Sequence, residues 1–562
     1  MSSQPDLHVA IDQLTATGAP FETENANIGG ITYKVFKQQP ASLRDLFAFI
    51  PTHGDSDFLV YQNERLSYNE TWNEACAFAH ALQTDLGIAK GDRVAIAMRN
   101  LPEWVIAFIA ITSIGAVVVP MNSWWTKNEL AYGLQDSGAK AVVADRTRTD
   151  IIQVSEITCI QVREGPFAAG VLNFDGLLAR HRSKELPDVV IDCDTDASIM
   201  YTPGSTGKPK GAVATHRNIL SATTSWALLG TAAKMENGTL DAERDHPPAA
   251  LLTVPLFHVT GCNSMFLVSV LMGRKIVMMH KWRVEDALEL IEKEKITYFS
   301  AVPTMSRELQ VAAKDTERDI STLEEIFSGG SAWLPKHVKE LQETFPAAIF
   351  GFGYGLTETS GIATVNTNAH YSKGPASAGK VMPAVTELKI ITPDGNELPV
   401  NQPGEVCIKS SANVRCYWNK SEATAAAFHN GWFHTGDVGY LDEEGYLYIV
   451  DRSKDIIIRG GKNISCIEVE ATLYQHSAVA EAAVFGVPDE RLGEVVFAVV
   501  VARNKEELEA EQLKSFAAKR IAAFKVPEHI SVIHESLPRT GTGKIFKSQI
   551  RDVVVKNFTS AA

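Results

Sequence analysis

An α/β fold is predicted, with a large N-terminal domain of two α/β-layered sheet subdomains plus a β-rich subdomain, and a small α+β C-terminal domain. Three observations predict it. Strand-like apolar runs alternate with helix-like stretches, twice over, from Asp92 to Val302. Short strand-like segments without helices follow Val381. The sharpest break in the chain, the charged cluster Asp451-Arg452-Ser453-Lys454-Asp455, comes after the apolar Tyr446–Val450. Strands alternating with helices give parallel sheets covered by helices.

In order, Arg93–Ala97 reads as a strand, Glu103–Ile114 as a helix and Ala116–Val119 as a strand. Lys127–Ser137 reads as a helix and Ala141–Ala144 as a strand. The second round is Leu251–Val254, the helix Met265–Met272, Lys275–Met278, the helix Val284–Glu294, and Tyr298–Val302. Pro393-Asp394-Gly395-Asn396 reads as a turn in the β-rich part. Residues 1–40, polar and poorly patterned, are expected to form a loosely packed arm, and the acidic run Lys505–Glu511 a solvated helix face. The expected domains are 1–451 and 452–562. A chain of 562 residues is too long for one core.

A net charge of −14 argues against a nucleic-acid binder. The seven cysteines are scattered with no Cys-x-x-Cys pair, which fits free thiols in a reducing compartment and disfavours structural zinc. The first thirty residues lack the apolar core of a signal peptide. The apolar run Trp104–Pro120, interrupted by Thr112, Ser113 and Gly115, is read as a buried helix and strand, so no integral membrane segment is expected. A cytoplasmic protein is the expectation.

Chemistry enters at Tyr201-Thr202-Pro203-Gly204-Ser205-Thr206-Gly207-Lys208-Pro209-Lys210-Gly211, between two apolar strands. Glycines let backbone N–H groups face an anion, hydroxyls add donors and lysines add charge, so the expected ligand is a polyphosphate. It is not a Walker A loop: Gly204 lies two positions too close to Gly207-Lys208, and Pro209 stands where Ser or Thr is required. Gly351-Phe352-Gly353-Tyr354-Gly355 fails the dinucleotide pattern at its last interval. Four further segments carry matching chemistry. Gly353-Tyr354-Gly355-Leu356-Thr357-Glu358-Thr359 sets a hydroxyl beside a carboxylate. Gly431-Trp432-Phe433-His434-Thr435-Gly436-Asp437 ends in an acid suited to ribose hydroxyls. Arg459-Gly460-Gly461-Lys462-Asn463 follows the charged cluster, and Pro538-Arg539-Thr540-Gly541-Thr542-Gly543-Lys544 lies near the end.

These motifs, in this order from about Leu66 to about Lys547, resemble the adenylate-forming superfamily, of the acyl-CoA synthetase or fatty acid–CoA ligase type. The resemblance implies ATP and Mg²⁺, with coenzyme A as co-substrate. A carboxylate attacks the α-phosphate to give acyl-AMP and pyrophosphate, and a thiol then displaces AMP. It implies ATP or AMP binding by Thr202, Ser205, Thr206, Gly207, Lys210, Gly330, Ser331, Ala332, Tyr354, Thr357, Asp437 and Arg452. Glu358 would bind the metal, and Lys544 would be the catalytic lysine of the first step, with Thr357 and Glu358 beside it. The small C-terminal domain would be mobile, turning on Lys454 to bring Arg459, Gly460 and Gly461 to coenzyme A. The acyl pocket would take His258, Val259, Val302, Gly351 and Phe352; His258 is equally read as a packed histidine.

No Asp or Glu occurs from Pro255 to Cys262, which disfavours an amino-acid substrate. A medium- or long-chain fatty acid is expected first and an aryl acid second, placing the chain in lipid metabolism. A luciferase-like oxidase would share every motif and stays open, as does an acyl-AMP ligase that loads a separate carrier protein and ignores free coenzyme A. A homodimer is compatible with the resemblance.

One departure stands out. Pro203 occupies a position where the family has serine or another small residue, so the loop loses an N–H and a hydroxyl and gains a fixed φ. Pro203→Ser is expected to lower KM for ATP or raise turnover. Unchanged steady-state constants would mean that this position does not touch the phosphates.

Overall fold

The computed structural model describes residues 6–560 apart from 153–156, 164, 166, 183, 203–207, 241–244, 330–334, 368–370, 372–373, 375, 383, 453–454, 504–507 and 541–543. It divides into two compact units, Met1–Leu388 with Ile408–Phe433, and Lys389–Cys407 with His434–Ala562. Residues 434–451 thus group with 452–562, which puts Asp437, Arg452 and Lys544 in one unit.

The first unit carries the two α/β rounds as two sheets. One is 8-stranded, in the order Cys416–Tyr417, Lys210–Thr215, Asp196–Thr202, Val117–Pro120, Arg93–Ala97, Ala141–Ala144, Thr158–Gln161, Leu172–Asn173. It is parallel from Asp196–Thr202 to Leu172–Asn173 and antiparallel at the other edge. The other runs Gly379–Val381, Thr364–Thr367, Ile349–Tyr354, Glu325–Gly329, Tyr298–Ala301, Ala249–Leu252, Lys275–Met278, Asp57–Tyr61, Glu64–Ser67. Its central strands are parallel, as expected of strands linked through helices.

Local signals explain the elements. The helix Lys127–Ser137 starts at a Thr126/Glu129 capping box and stops at Gly138, whose φ is 62°. The helix Pro102–Ser113 begins with proline, and every residue but Glu103 is buried, which is why it is apolar all round. No helix among the described residues is long and apolar enough to cross a membrane. All seven cysteines are unbridged.

The N-terminal reading needs correction. Residues 6–40 are not a loose arm: Leu7–Thr15 is a helix that packs on the long helix His216–Glu236, burying Leu7, Ala10, Ile11 and Leu14. Thr23–Ile28 and Ile31–Phe36 form an antiparallel hairpin. The i, i+3, i+4, i+7 stripe was present, but the polar average of the segment hid it.

In the second unit, Val479–Asp489 pairs with Gly493–Ala502, which also pairs with Ile457–Arg459 and, in parallel, with His529–Ile533. Both faces of this sheet are covered. Successive side chains along the two long strands point to opposite faces. Ala482, Val484, Val496 and Ala498 therefore pack in one core, and Ala483, Phe485, Val495 and Phe497 in another. The acidic run Lys505–Glu511 lies partly outside the described residues; Leu508 is buried and the helix starts only at Ala510.

Candidate functional site

Two groups of side chains emerge, one in each unit. In the first unit, strands Asp196–Thr202 and Lys210–Thr215 pair in the register Thr202↔Lys210, so the phosphate-loop motif is the connection of a hairpin. Ser205, Thr206 and Gly207, with Pro203, lie outside the described residues. Lys210 is described, and its ammonium sits 5.1 Å from the centre of the Tyr417 ring. The Tyr417 hydroxyl donates to Glu358 Oε1 at 2.7 Å, and both residues are buried. Tyr417 is set there by the two-residue strand Cys416–Tyr417, which pairs with Lys210–Thr215 in the register Ala212↔Tyr417. Tyr417 therefore joins two motifs that are far apart in the chain. Nothing in the sequence pattern singled it out, because a two-residue strand has no periodicity.

Glu358 is positioned by backbone. It lies in the short 3₁₀ turn Thr357–Thr359 that follows the strand Ile349–Tyr354. Val414 N–H donates to the Glu358 carbonyl at 2.9 Å, and Ser360, at φ 52°, donates its hydroxyl to the Ala412 carbonyl at 2.7 Å. A Cβ at Gly355 would come 2.6 Å from the Gly361 carbonyl carbon, so only glycine lets the turn close. Thr357 and Tyr354 are half-buried in the same segment. A carboxylate oriented by a phenol hydroxyl is an oxygen donor of the kind a hard divalent ion takes, which fits Glu358 as the residue that would hold Mg²⁺.

The glycines of the same strand have a packing reason. A Cβ on Gly351 would fall 2.1 Å from the Phe327 ring, and one on Gly353 2.7 Å from Trp226. Phe352, between them, is buried, and Val302 begins the helix Pro303–Ala313. Ser328 and Gly329 end the neighbouring strand in register with Phe352 and Gly353; Gly330, Ser331 and Ala332 lie outside the described residues. His258 Nδ1 lies 3.2 Å from Thr260 Oγ1, and Val259 is buried against Gly361. A Cβ on Gly261 would strike the Pro255 carbonyl oxygen, so this segment turns back tightly on itself. Helical structure starts at Thr260, earlier than the predicted Met265, in a wide π-helical turn.

In the second unit, Asp437 and Arg452 face each other across the hairpin of Trp432–Leu441 and Tyr446–Arg452. Arg452 Nε is 2.9 Å from Asp437 Oδ1. Asp437 is 3% exposed, and Arg452, with half its side chain in solvent, reaches over it. Lys544 lies within electrostatic reach of both. Burial first, and the charge of Arg452 second, push its pKa down to about 8, while Asp437 acts in the opposite sense. Thr540 N–H donates to the Lys544 carbonyl at 2.7 Å and Phe546 N–H to the Pro538 carbonyl at 2.8 Å, so the chain on either side of 541–543 is tied back on itself.

Lys454 lies outside the described residues. Its neighbour Asp451 is buried, and its carboxylate accepts the N–H groups of Arg452 at 2.8 Å and Cys466 at 2.5 Å, at the start of the helix Cys466–Leu473. Gly460 and Gly461, at φ 55° and 78°, form the two-residue turn between Ile457–Arg459 and Lys462–Ile464, which needs left-handed backbone at both positions. Arg459 pairs with Glu528 at 3.0 Å.

The model of the AMP-binding enzyme family matches residues 46–418, and that of the AMP-binding enzyme C-terminal domain matches residues 468–544. A long-chain-fatty-acid–CoA ligase of Bacillus subtilis is 33% identical over 90% of this chain and 92% of its own. A 2-succinylbenzoate–CoA ligase of Bacillus velezensis is 34% identical over 88% of this chain and 94% of its own. The solved o-succinylbenzoate CoA synthetase of Bacillus subtilis, in complex with its acyl-adenylate intermediate, superposes with a TM-score of 0.77 at 29% identity, covering 90% of this chain and 98% of that one. The same enzyme in complex with ATP and magnesium ion gives 0.76. With family models covering most of both units and relatives this similar along nearly their full length, the chain belongs to the AMP-binding enzyme family, as an AMP-forming acid–thiol ligase of the acyl-CoA synthetase type.

Proposed function

We propose that this protein makes an acyl-CoA from a carboxylic acid, ATP and coenzyme A, with a medium- or long-chain fatty acid as the favoured acid. In the first step a carboxylate oxygen attacks the α-phosphorus, the bond to the bridging oxygen breaks, and pyrophosphate leaves. In the second the thiol attacks the acyl carbon, its proton passes to solvent, and AMP leaves. The observation that carries the reading is the group Asp437, Arg452 and Lys544, in which a buried carboxylate and two cations lie together.

Each residue has a job its chemistry allows. Asp437 accepts the ribose hydroxyls, and Arg452 both aligns Asp437 and faces the nucleotide. Lys544 lays its ammonium between the incoming carboxylate and the α-phosphate, which otherwise repel. Lys210, with Thr202, Ser205, Thr206 and Gly207, receives the β- and γ-phosphates, and Thr357 the α-phosphate. Gly330, Ser331, Ala332 and Tyr354 take the adenine. Bound at Glu358, magnesium supplies charge neutralisation for the phosphates.

Lys544 has to withdraw before the thiol enters. We assign the change to rotation of residues 452–562 about Lys454, which brings Arg459, Gly460 and Gly461 to coenzyme A. Lys454→Pro is expected to slow thioester formation from supplied acyl-AMP far more than adenylation; equal losses in stopped-flow assays of the two halves would count against the hinge.

Apolar Val259, Val302 and Phe352 support an apolar acid. An aryl acid is the second reading, supported by the 2-succinylbenzoate relative, which is as similar as the fatty-acid one. The discriminating experiment is pyrophosphate release across short- to long-chain fatty acids, benzoate and cinnamate, with and without coenzyme A. A maximum at medium or long chains supports the first reading, and a maximum at an aromatic acid the second. Acyl-AMP that accumulates despite coenzyme A points to a carrier-protein acceptor.

A further inference from the structure

Outside the nucleotide-binding residues, the second unit holds another cluster with coordinating chemistry. Glu405, Cys407 and His434 bring a carboxylate oxygen, a thiol sulfur and an imidazole nitrogen within 4.8 Å of one another. The topology builds the cluster. Glu405 and Cys407 are two apart on the strand Gly404–Ser410, so they share a face, and His434 comes from the strand Trp432–Leu441. Thr435 donates its hydroxyl to the Val406 carbonyl at 2.8 Å, which locks the two segments side by side. Cys407 is wholly buried, whereas the Glu405 and His434 side chains are 34% and 23% exposed. The cluster therefore has a soft donor at its floor and an opening to solvent at its rim.

We propose that Glu405, Cys407 and His434 form a site for one borderline-soft divalent cation of the zinc class, separate from the hard ion at Glu358, and that filling it slows adenylation.

The donor set argues for zinc. A thiolate, an imidazole and a carboxylate are the ligands Zn²⁺ takes, with a water completing the tetrahedron, whereas Mg²⁺ favours oxygen alone. With the thiol and the carboxyl ionised, the two negative charges cancel the charge of the ion. Bond lengths near 2.0–2.3 Å put the ligand atoms of a tetrahedron about 3.3–3.6 Å apart, so closing the cluster takes movements of roughly an ångström. On binding, a zinc–sulfur bond forms, the S–H bond breaks, and the proton goes to solvent; nothing is oxidised or reduced.

The effect on adenylation follows from what Glu405 already holds. Glu405 Oε2 contacts His434 Nδ1 at 3.0 Å, and Oε1 accepts the Gly436 N–H at 3.1 Å. The next residue is Asp437, whose N–H donates to Thr435 Oγ1 at 3.0 Å. A cation that draws the Glu405 carboxylate and His434 together pulls on both sides of the Thr435–Gly436 backbone that sets Asp437. This second half rests on the ribose role proposed for Asp437; metal uptake does not.

The test uses metal-free full-length protein. Zn²⁺ uptake is followed by competition with a chromophoric chelator, and Co²⁺ is used as a coloured substitute. The wild type should take up one equivalent of zinc and show a thiolate-to-cobalt charge-transfer band. Cys407→Ser should lose the band and bind zinc at least tenfold more weakly, and His434→Gln should also bind more weakly while folding independently of any change at Cys407. With saturating Mg²⁺, zinc should lower acid-dependent pyrophosphate release severalfold in the wild type and not in Cys407→Ser. No stoichiometric uptake, or uptake unchanged in both variants, overturns the site. Uptake that leaves pyrophosphate release unchanged overturns the link to Asp437 alone, and a wild type inactive in every assay without zinc overturns the proposed function instead.

Discussion

Lys544→Ala is expected to lower the rate of acyl-adenylate formation by roughly 10³-fold, the scale for removing a group that meets charge developing in a transition state. Thioester formation from supplied acyl-AMP should be nearly unchanged, because the role proposed for the ammonium ends with the first step. Comparable losses in both halves would remove Lys544 from its assigned role. The environment of the lysine adds a pH signature. Burial and Arg452 hold its pKa at about 8, against 10.5 for an ordinary lysine. Below about pH 8 the side chain carries its charge, and above that it loses it. The kcat/KM for adenylation should therefore fall as pH rises through about 8. In kcat the limb should lie higher, since bound triphosphate favours the cation. Stability runs the other way. The unfolded chain holds this proton up to 10.5 and the folded one only to about 8, so this group's contribution to stability improves as pH rises between those values.

Glu358→Gln should cost about 10²–10³ in adenylation. The amide oxygen still accepts the Tyr417 hydroxyl, so folding should be preserved while the negative charge is lost. The magnesium concentration needed for half-maximal rate should rise. Glu358→Ala should add a stability loss of about 1–3 kcal/mol, because the buried Tyr417 hydroxyl loses its 2.7 Å acceptor. Measuring both variants by chemical denaturation and by magnesium titration separates the two contributions. A Glu358→Gln enzyme with wild-type magnesium dependence would show that this carboxylate does not hold the ion.

The motif residues were legible because their chemistry is local. A hydroxyl beside a carboxylate in a glycine-rich turn, or an acid after Thr-Gly, is visible in a few letters, and the two α/β rounds are visible in the spacing of Val, Ile and Ala runs. Contacts made by single residues across long stretches of chain were not. Tyr417 ties Lys210 to Glu358 from a strand too short to have a pattern. The pairing of Asp437 with Arg452 depends on hairpin register, which is a property of two strands together. Gly351 and Gly353 fail the dinucleotide spacing, and the structure gives their reason: the space they leave is filled by Phe327 and Trp226. The N-terminal helix Leu7–Thr15 was missed because its apolar stripe is diluted by Asp12, Gln13 and Thr15 on the other face.

The most direct test is isotope exchange between pyrophosphate and ATP in the absence of coenzyme A. The account predicts exchange that requires both the acid and magnesium, that disappears in Lys544→Ala, and that needs no thiol, since acyl-AMP and pyrophosphate form reversibly before the thiol binds. Exchange that appears only once coenzyme A is added, or acid-dependent release of ADP and phosphate in its place, would contradict it.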